Sequence, residues 1–362
     1  MIETIPLLIG SFCWLAGFAL MWRIPLCARR NETQKADKVS VIIPARNEEK
    51  RLPALLNTLS HQSVSPGEII VVDDDSEDNT AEIAAKFNAS IVRIEDKPVG
   101  WNGKSFACWT GAQKSSGELL LFLDADTELE PDGLARILSE HSNEGGLISV
   151  QPWHITRKPY EQLSAFLNII VMAGLNTFTV LGKRLSPAGS FGPCIMCSRE
   201  DYFSTGGHEA VKAEILEDIP FGRNFLKKGK PVNCYGGRNT IKFRMYPDGL
   251  ADLIGGWSKS FAAGASHTRP FITILVAVWV SGAFTAASQL IFAPSLAGLL
   301  MYACYVLQIY LLQKYAGNFG RFTALLYPVS IAFFVFISIK SLITTFVFKT
   351  VTWKGRPVHT DV

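Results

Sequence analysis

The sequence is short of charge, short of cysteine and without a long basic run. Only 19% of its residues are charged against 48% hydrophobic, and the formal net charge is +3. No stretch interleaves basic and aromatic side chains, so nothing points to nucleic acid as a partner. The seven cysteines, Cys13, Cys27, Cys108, Cys194, Cys197, Cys234 and Cys304, form an odd and irregular set, which fits a reducing compartment rather than a disulfide framework. Cys194 and Cys197 make one CxxC, but a structural zinc needs two further ligands and none stands nearby; small side chains packed in a strand are the expectation. A P-loop is missing too. Gly103-Lys104-Ser105 would need a glycine at position 98, where Pro98 stands, and this excludes a P-loop NTPase. His154, His208 and His267 are isolated from one another and read as packing or capping residues.

What is present is apolar sequence at both ends of the 362 residues. Residues 5–22 carry no ionisable side chain and are long enough to cross a bilayer. No positive segment precedes them; Arg23, Arg29, Arg30, Lys35 and Lys38 follow instead. That order predicts an uncleaved N-terminal anchor over 1–27, with the following domain cytoplasmic. At the other end, 269–348 read as C-terminal membrane helices. Residues 271–292 and 296–312 are two spans joined by an uncharged loop around Pro294, and the next loop, with Lys314 and Arg321, belongs inside. Residues 322–348, interrupted by Pro328 and Lys340, either cross once or stay in the inner half of the bilayer. The basic tail 349–362, with Lys349, Lys354 and Arg356, falls outside in the first case and inside in the second.

Between the ends, residues 38–246 alternate strands with helices. A β-rich run from Val39 to Ile43 stops at Pro44-Ala45-Arg46-Asn47-Glu48-Glu49, and Leu52, Leu55, Leu56 and Leu59 then recur at helical spacing. A second run ends in Asp73-Asp74-Asp75, a third covers 91–94, and a fourth, Leu119 to Leu123, ends in Asp124-Ala125-Asp126. Short connections imply right-handed crossovers and a mixed, mostly parallel sheet, an α/β class. Parallel strands share one C-terminal edge, so the acids at Asp73 and Asp124 meet there, where open α/β sheets bind ligands. The apolar stretch 163–181 is expected to lie as a helix in the membrane surface, and 247–268 to form a second amphipathic interface helix. A helix is expected from about residue 214 to 228.

Each acidic group admits a chemical and a plain reading. Asp124 and Asp126 are hard oxygen donors suited to Mg²⁺ or Mn²⁺ holding a phosphate, or simply an acidic turn closing a strand. Asp73 and Asp74 repel phosphate but suit the base N–H and ribose hydroxyls of a nucleotide. Lys104 is a cation for phosphates or an exposed lysine at a helix start. Glu217-Asp218, between Leu216 and Ile219-Pro220, is a partly buried pair poised as a base, or acids placed against a helix dipole.

In this order, Val41-Ile42-Ile43-Pro44-Ala45-Arg46-Asn47-Glu48-Glu49, Asp73-Asp74 with Ser76 and Asp78, Asp124-Ala125-Asp126 and Glu217-Asp218 resemble the family-2 glycosyltransferases of the GT-A fold. Further stretches, Ser149-Val150-Gln151-Pro152-Trp153-His154-Ile155-Thr156, Ser204-Thr205-Gly206-Gly207-His208, Phe243-Arg244-Met245-Tyr246, Gly256-Trp257-Ser258-Lys259 and Trp353-Lys354-Gly355-Arg356, resemble its membrane-bound, carotenoid-glycosylating members, so the likeness covers nearly the whole chain. The resemblance implies a metal-dependent, inverting transfer of one sugar, glucose, from a UDP-sugar to a lipophilic isoprenoid such as a carotenoid acid. The protein would sit in the cell membrane as a multi-pass chain in contact with its lipids. It also implies roles: Pro44, Glu48, Asp73 and Asp74 on the uridine, Asp124 on ribose and metal, Asp126 on the metal, Asp218 with Glu217 as the base, Lys104 beside the donor, and Trp257 and Lys259 on the acceptor and membrane side. Polymerising relatives carry Gln-x-x-Arg-Trp after the base, whereas this chain has Gly255-Gly256-Trp257-Ser258-Lys259. That departure argues against polymer synthesis.

One physical point pulls the other way on the acceptor. A carboxylic acid is already ionised near neutral pH and needs no base, whereas a hydroxyl does. Transfer to another lipid hydroxyl or a polyprenyl phosphate is therefore the alternative. From other classes come a non-catalytic membrane receptor for nucleotide sugars, which has no use for Asp218, and a phosphotransferase, which needs a phosphorylated Asp73.

Overall fold

The computed structural model describes residues 4–29, 36–214, 216–344, 350–353 and 356–359. Arg30, Lys35, Lys349 and Lys354 of the expected basic segments lie outside them. The chain divides into two units, one of 25–153 with 189–244 and one of 1–24, 154–188 and 245–362.

The first is built on a seven-stranded sheet. Its strands are β1 (Val39–Ala45), β2 (Glu68–Asp73), β3 (Ser90–Arg93), β4 (Leu119–Leu123), β5 (Leu147–Gln151), β6 (Cys194–Ser198) and β7 (Val232–Gly236), in the order β3-β2-β1-β4-β6-β5-β7. β1, β2, β3 and β4 run parallel, β6 is antiparallel to both β4 and β5, and β5 pairs parallel with β7. This is the mixed, mostly parallel sheet expected from the sequence. Val39, Val41, Ile42 and Ile43 of β1 are fully buried, as a strand covered on both faces requires. Helix Leu52–Ser60 turns its four leucines inward, and helix Gly103–Lys114 lies close on the sheet because a Cβ at Gly111 would collide with Ile42 and Val72. Cys194 and Cys197 are buried in β6, where burial pushes both thiols up.

The second unit is helical. Pro270–Phe292 and Leu296–Ala316 are each long and apolar enough to cross a membrane, and shorter apolar helices cover Thr4–Leu20 and Tyr327–Ile343. As far as it is described, to residue 344, the apolar stretch at 322–348 is two pieces: helix Arg321–Leu325 stops at Leu326, and Pro328 occupies the first turn of the next helix, where its missing N–H costs nothing. Residues 163–181 also differ from expectation. They hold a helix of 11 residues, Ser164–Gly174, whose side chains are buried nearly all round, so it is a core helix and not one lying on a surface. Its polar Asn168 is satisfied internally, donating to Ser164 O (2.9 Å) and lying 3.0 Å from His154 Nδ1. For that reason residues 154–188, placed by sequence inside the 38–246 domain, pack with the helices. Helix Leu250–His267 forms within the expected 247–268 and buries Leu253 and Trp257, the Trp257 Nε1–H donating to Ser164 Oγ (3.0 Å).

Candidate active site

The parallel strands β1, β2 and β4 end side by side, and the chain leaves each of them into a polar turn. Pro44 pairs with Val72 and Ala45 with Asp73, and the Asp74 N–H donates to Ala45 O (2.9 Å). The two turns are then laced together. Asn47 and Asp75 take left-handed backbone (φ 53 and 55), a conformation that short polar side chains tolerate best after glycine. The Asn47 N–H donates to Ser76 Oγ (3.0 Å), the Glu48 N–H to Thr80 Oγ1 (2.8 Å) and the Glu49 N–H to Asp78 Oδ2 (3.0 Å). Arg46, buried, donates to Asp74 O (2.6 Å). Asp73 Oδ1 accepts from the Ser76 N–H (3.0 Å). Glu48, Asp73 and Asp74 are all buried at this edge, with Arg51 3.6 Å from Glu48.

Beyond β4 the main chain of Asp124 is fixed from two sides: its N–H donates to Pro193 O (3.0 Å), and its carbonyl accepts from Thr127 Oγ1 (2.8 Å). Its side chain meets Lys104. Lys104 Nζ stands 2.9 Å from Asp124 Oδ1, 3.1 Å from Glu217 Oε1 and 3.9 Å from Asp218 Oδ1. Burial alone would lower this ammonium, but Asp124, Asp218 and Glu217 outweigh it and hold Lys104 well above its ordinary value. Burial and the neighbouring Glu217 push the Asp218 carboxyl well above the usual carboxylate range, against the pull of Lys104.

Helix Asp218–Lys227 begins at Asp218, with Glu217 as its N-cap, four residues later than the sequence suggested; Pro220 falls in its first turn. Ser190 Oγ donates to Asp218 O (2.6 Å). Gly192 lies so close to the Asp218 carboxylate that a Cβ there would collide with it. Behind the helix, His208 stacks on Phe221 at 4.7 Å and lies 2.9 Å from the Tyr202 hydroxyl. Burial and the Lys104 charge lower His208 to about 3, so it is a neutral packing group.

Asp126 completes the cluster. Burial first, then the carboxylates of Asp124 and Glu48, push its carboxyl up to about 7. Among the described residues no three or more His, Cys, Asp or Glu side chains are grouped as a ready-made metal site. Two hard carboxylates under mutual repulsion do fit a divalent cation.

The structure thus places Pro44, Glu48, Asp73, Asp74, Asp124 and Asp126 at the C-terminal ends of adjacent strands, and brings Lys104, Asp124, Glu217 and Asp218 together. Trp257 and Lys259 belong to the helical unit, Trp257 buried and Lys259 half-buried. Sequence reasoning assigned nothing to Arg46, Arg51, Ser190 or Gly192. Arg46 had a signal, as a lone cation inside the quoted acidic run; the service of Gly192 shows only once Asp218 is beside it.

The profile of glycosyl transferase family 2 matches residues 40–203. The 4,4'-diaponeurosporenoate glycosyltransferase of Staphylococcus haemolyticus is 38% identical over 91% of this chain and 90% of its own length, and that of Staphylococcus aureus is 34% identical over 88% and 87%. Among solved structures, a mannosyltransferase from Pyrobaculum calidifontis, in complex with GDP-Man and Mn²⁺, superposes with a TM-score of 0.55 at 16% identity, covering 94% of this chain and 99% of that one.

Proposed function

The chain belongs to glycosyl transferase family 2, and on that premise we propose that it moves one glucose from UDP-glucose to a lipophilic isoprenoid acid, with inversion at the anomeric carbon. One observation carries the reading: a single ammonium, Lys104, lies within 2.9–3.9 Å of acids from the donor strand and from the base-bearing helix. The identity to the curated relatives, which are named for a carotenoid carboxylate, supports the acceptor class.

Glu48, Asp73 and Asp74, with Pro44, take the uridine, accepting hydrogen bonds from base and ribose. Asp124 and Asp126 would hold Mg²⁺ or Mn²⁺, which would supply charge neutralisation for the departing diphosphate. With donor in place Lys104 turns part of its charge to the phosphates and still orients Glu217 and Asp218. The acceptor oxygen attacks the anomeric carbon from the face opposite UDP; the new C–O bond forms as the bond to the β-phosphate oxygen breaks. An ionised carboxylate acceptor brings no proton to remove, and for it Asp218 serves by position. A hydroxyl acceptor hands its proton to Asp218.

The raised Asp218 carboxyl, a better proton acceptor than an ordinary aspartate, favours this hydroxyl route as the second reading. The helical unit, with two helices long and apolar enough to span, embeds the protein in the cell membrane as a multi-pass chain with the catalytic unit cytoplasmic. Membranes given labelled UDP-glucose with a carotenoid acid or the matching alcohol separate the readings. The acid labelled as an alkali-labile ester supports the first, and label on the alcohol alone supports the second. UDP-glucose binding with neither lipid labelled would leave a nucleotide-sugar receptor.

A further inference from the structure

The charge of this protein is divided unevenly between its two units. The helical unit holds thirteen basic and five acidic residues, a formal +8, while the sheet unit holds twenty-two and twenty-seven, a formal −5. Within the helical unit, residues 4–24, 162–188 and 253–344 contain no Asp or Glu at all.

Four cations of these segments converge. Helices Thr4–Leu20 and Pro270–Phe292 run antiparallel, since Gly17 packs against Trp279 and Gly282 against Cys13. The end of the first, with Trp22 and Arg23, therefore lies level with the start of the second, where Arg269 is the N-cap. The chain after helix Ser164–Gly174 is tied to both. The Trp22 N–H donates to Phe178 O (2.8 Å), the Val180 N–H to Ala19 O (3.0 Å), and Arg269 Nη2 to Ser186 O (3.1 Å). That connection carries Lys183 and Arg184, both exposed. Beside the cations stand exposed apolar side chains: Trp22 at 65%, Val180 at 55% and Leu181 at 44%. An aromatic ring, two aliphatic side chains and a cationic rim at the ends of apolar helices are what the boundary between acyl chains and headgroups accepts.

We propose that Arg23, Lys183, Arg184 and Arg269 form a docking belt for the headgroups of anionic phospholipid, with Trp22, Val180 and Leu181 entering the acyl boundary beneath them. Charge complementarity selects this occupant: each cation near an anionic surface favours binding by about fivefold, and zwitterionic headgroups offer no such gain. The belt rests on the membrane placement given under Proposed function, and its test separates the two.

The experiment uses full-length protein in membranes. Alkaline carbonate first asks whether the chain stays in the membrane pellet; release into the supernatant overturns the placement and the belt together. Retained protein is then put into nanodiscs of phosphatidylcholine with one-fifth phosphatidylglycerol, and the lipid that stays with it on detergent extraction is weighed by mass spectrometry. The belt predicts phosphatidylglycerol enriched over the bulk, enrichment that salt weakens, a loss of up to about 25-fold in Lys183→Gln/Arg184→Gln, and recovery in the charge-keeping Lys183→Arg/Arg184→Lys. Equal enrichment in wild type and the Gln pair, or none in wild type, overturns the belt and leaves the membrane placement and the transfer reaction untouched. UDP-glucose binding serves as the folding control and stays unchanged in both variants.

Discussion

The two units bury polar groups of different kinds. In the sheet unit the buried polar side chains include, beside serines and threonines, six charged ones, Arg46, Glu48, Asp73, Asp74, Glu140 and Glu217, with Lys104 drawing three acids to itself. In the helical unit it is mostly neutral. Gln308 accepts from Trp279 Nε1 (2.7 Å) and donates to Trp14 O (2.7 Å), Trp257 bonds Ser164, and Asn168 lies against His154. Glu161 is the exception among the described residues, buried but accepting from the Arg157 and Lys158 N–H groups at the start of a short helix. Neutral amides can join apolar helices without the penalty of a buried charge, and they ask nothing of a ligand. Clustered charges are costly at rest and are kept where a charged substrate will complete them. The contrast fits the proposal that chemistry belongs to one unit and assembly to the other.

The sharpest way to break that contrast is to remove a carboxylate from the sheet edge. Asp126→Ala is expected to abolish glucose transfer in membranes while the protein stays folded and membrane-bound; undiminished turnover would remove the metal assignment. Next in size is Lys104→Met, with a loss of about 10²-fold in kcat, the order of a lost charged group at a reacting centre. The sign of its pH effect is fixed: Lys104 pulls the Asp218 carboxyl down, so without it that carboxyl rises further and a hydroxyl-acceptor profile moves its acid limb to higher pH. An acid limb that stays in place, or moves down, would detach Lys104 from the base. Gly192→Ala forces the Asp218 carboxylate aside, and about tenfold in kcat with an unchanged KM for UDP-glucose is expected. The smallest effect sharpens the other side: Gln308→Leu strands the Trp279 N–H, costs about 1–2 kcal/mol of stability read as a lower Tm, and leaves donor binding as it was.

Much of the sheet unit was legible because its strands are buried runs stopped by acids. Leu119 to Leu123 followed by Asp124 could hardly be anything but a central strand, and parallel pairing then put Asp73 and Asp124 on one edge. The reach of Lys104 was not legible. It needs the antiparallel β6 and the Ser190 contact to carry Asp218 back to β4, and no local pattern encodes that return. In the helical unit, hydropathy found the apolar helices but could not tell protein surroundings from lipid. Residues 163–181 therefore read as a surface helix when Phe166, stacked on Trp279 at 5.0 Å, is core. The break at Leu326 was foreshadowed by Pro328, whose place in a first turn marks a helix start as readily as a kink.

Asp218→Asn tests most directly the claim that one edge of the sheet unit gathers donor, metal and acceptor acids around a single reaction. Assayed in membranes with labelled UDP-glucose and either lipid acceptor, the variant should lose at least about 10²-fold in labelling of the alcohol, and less for the ionised acid, with UDP affinity within twofold of wild type. Full labelling of both lipids would contradict the account, because Asp218 would then stand beside Lys104 without taking part in transfer.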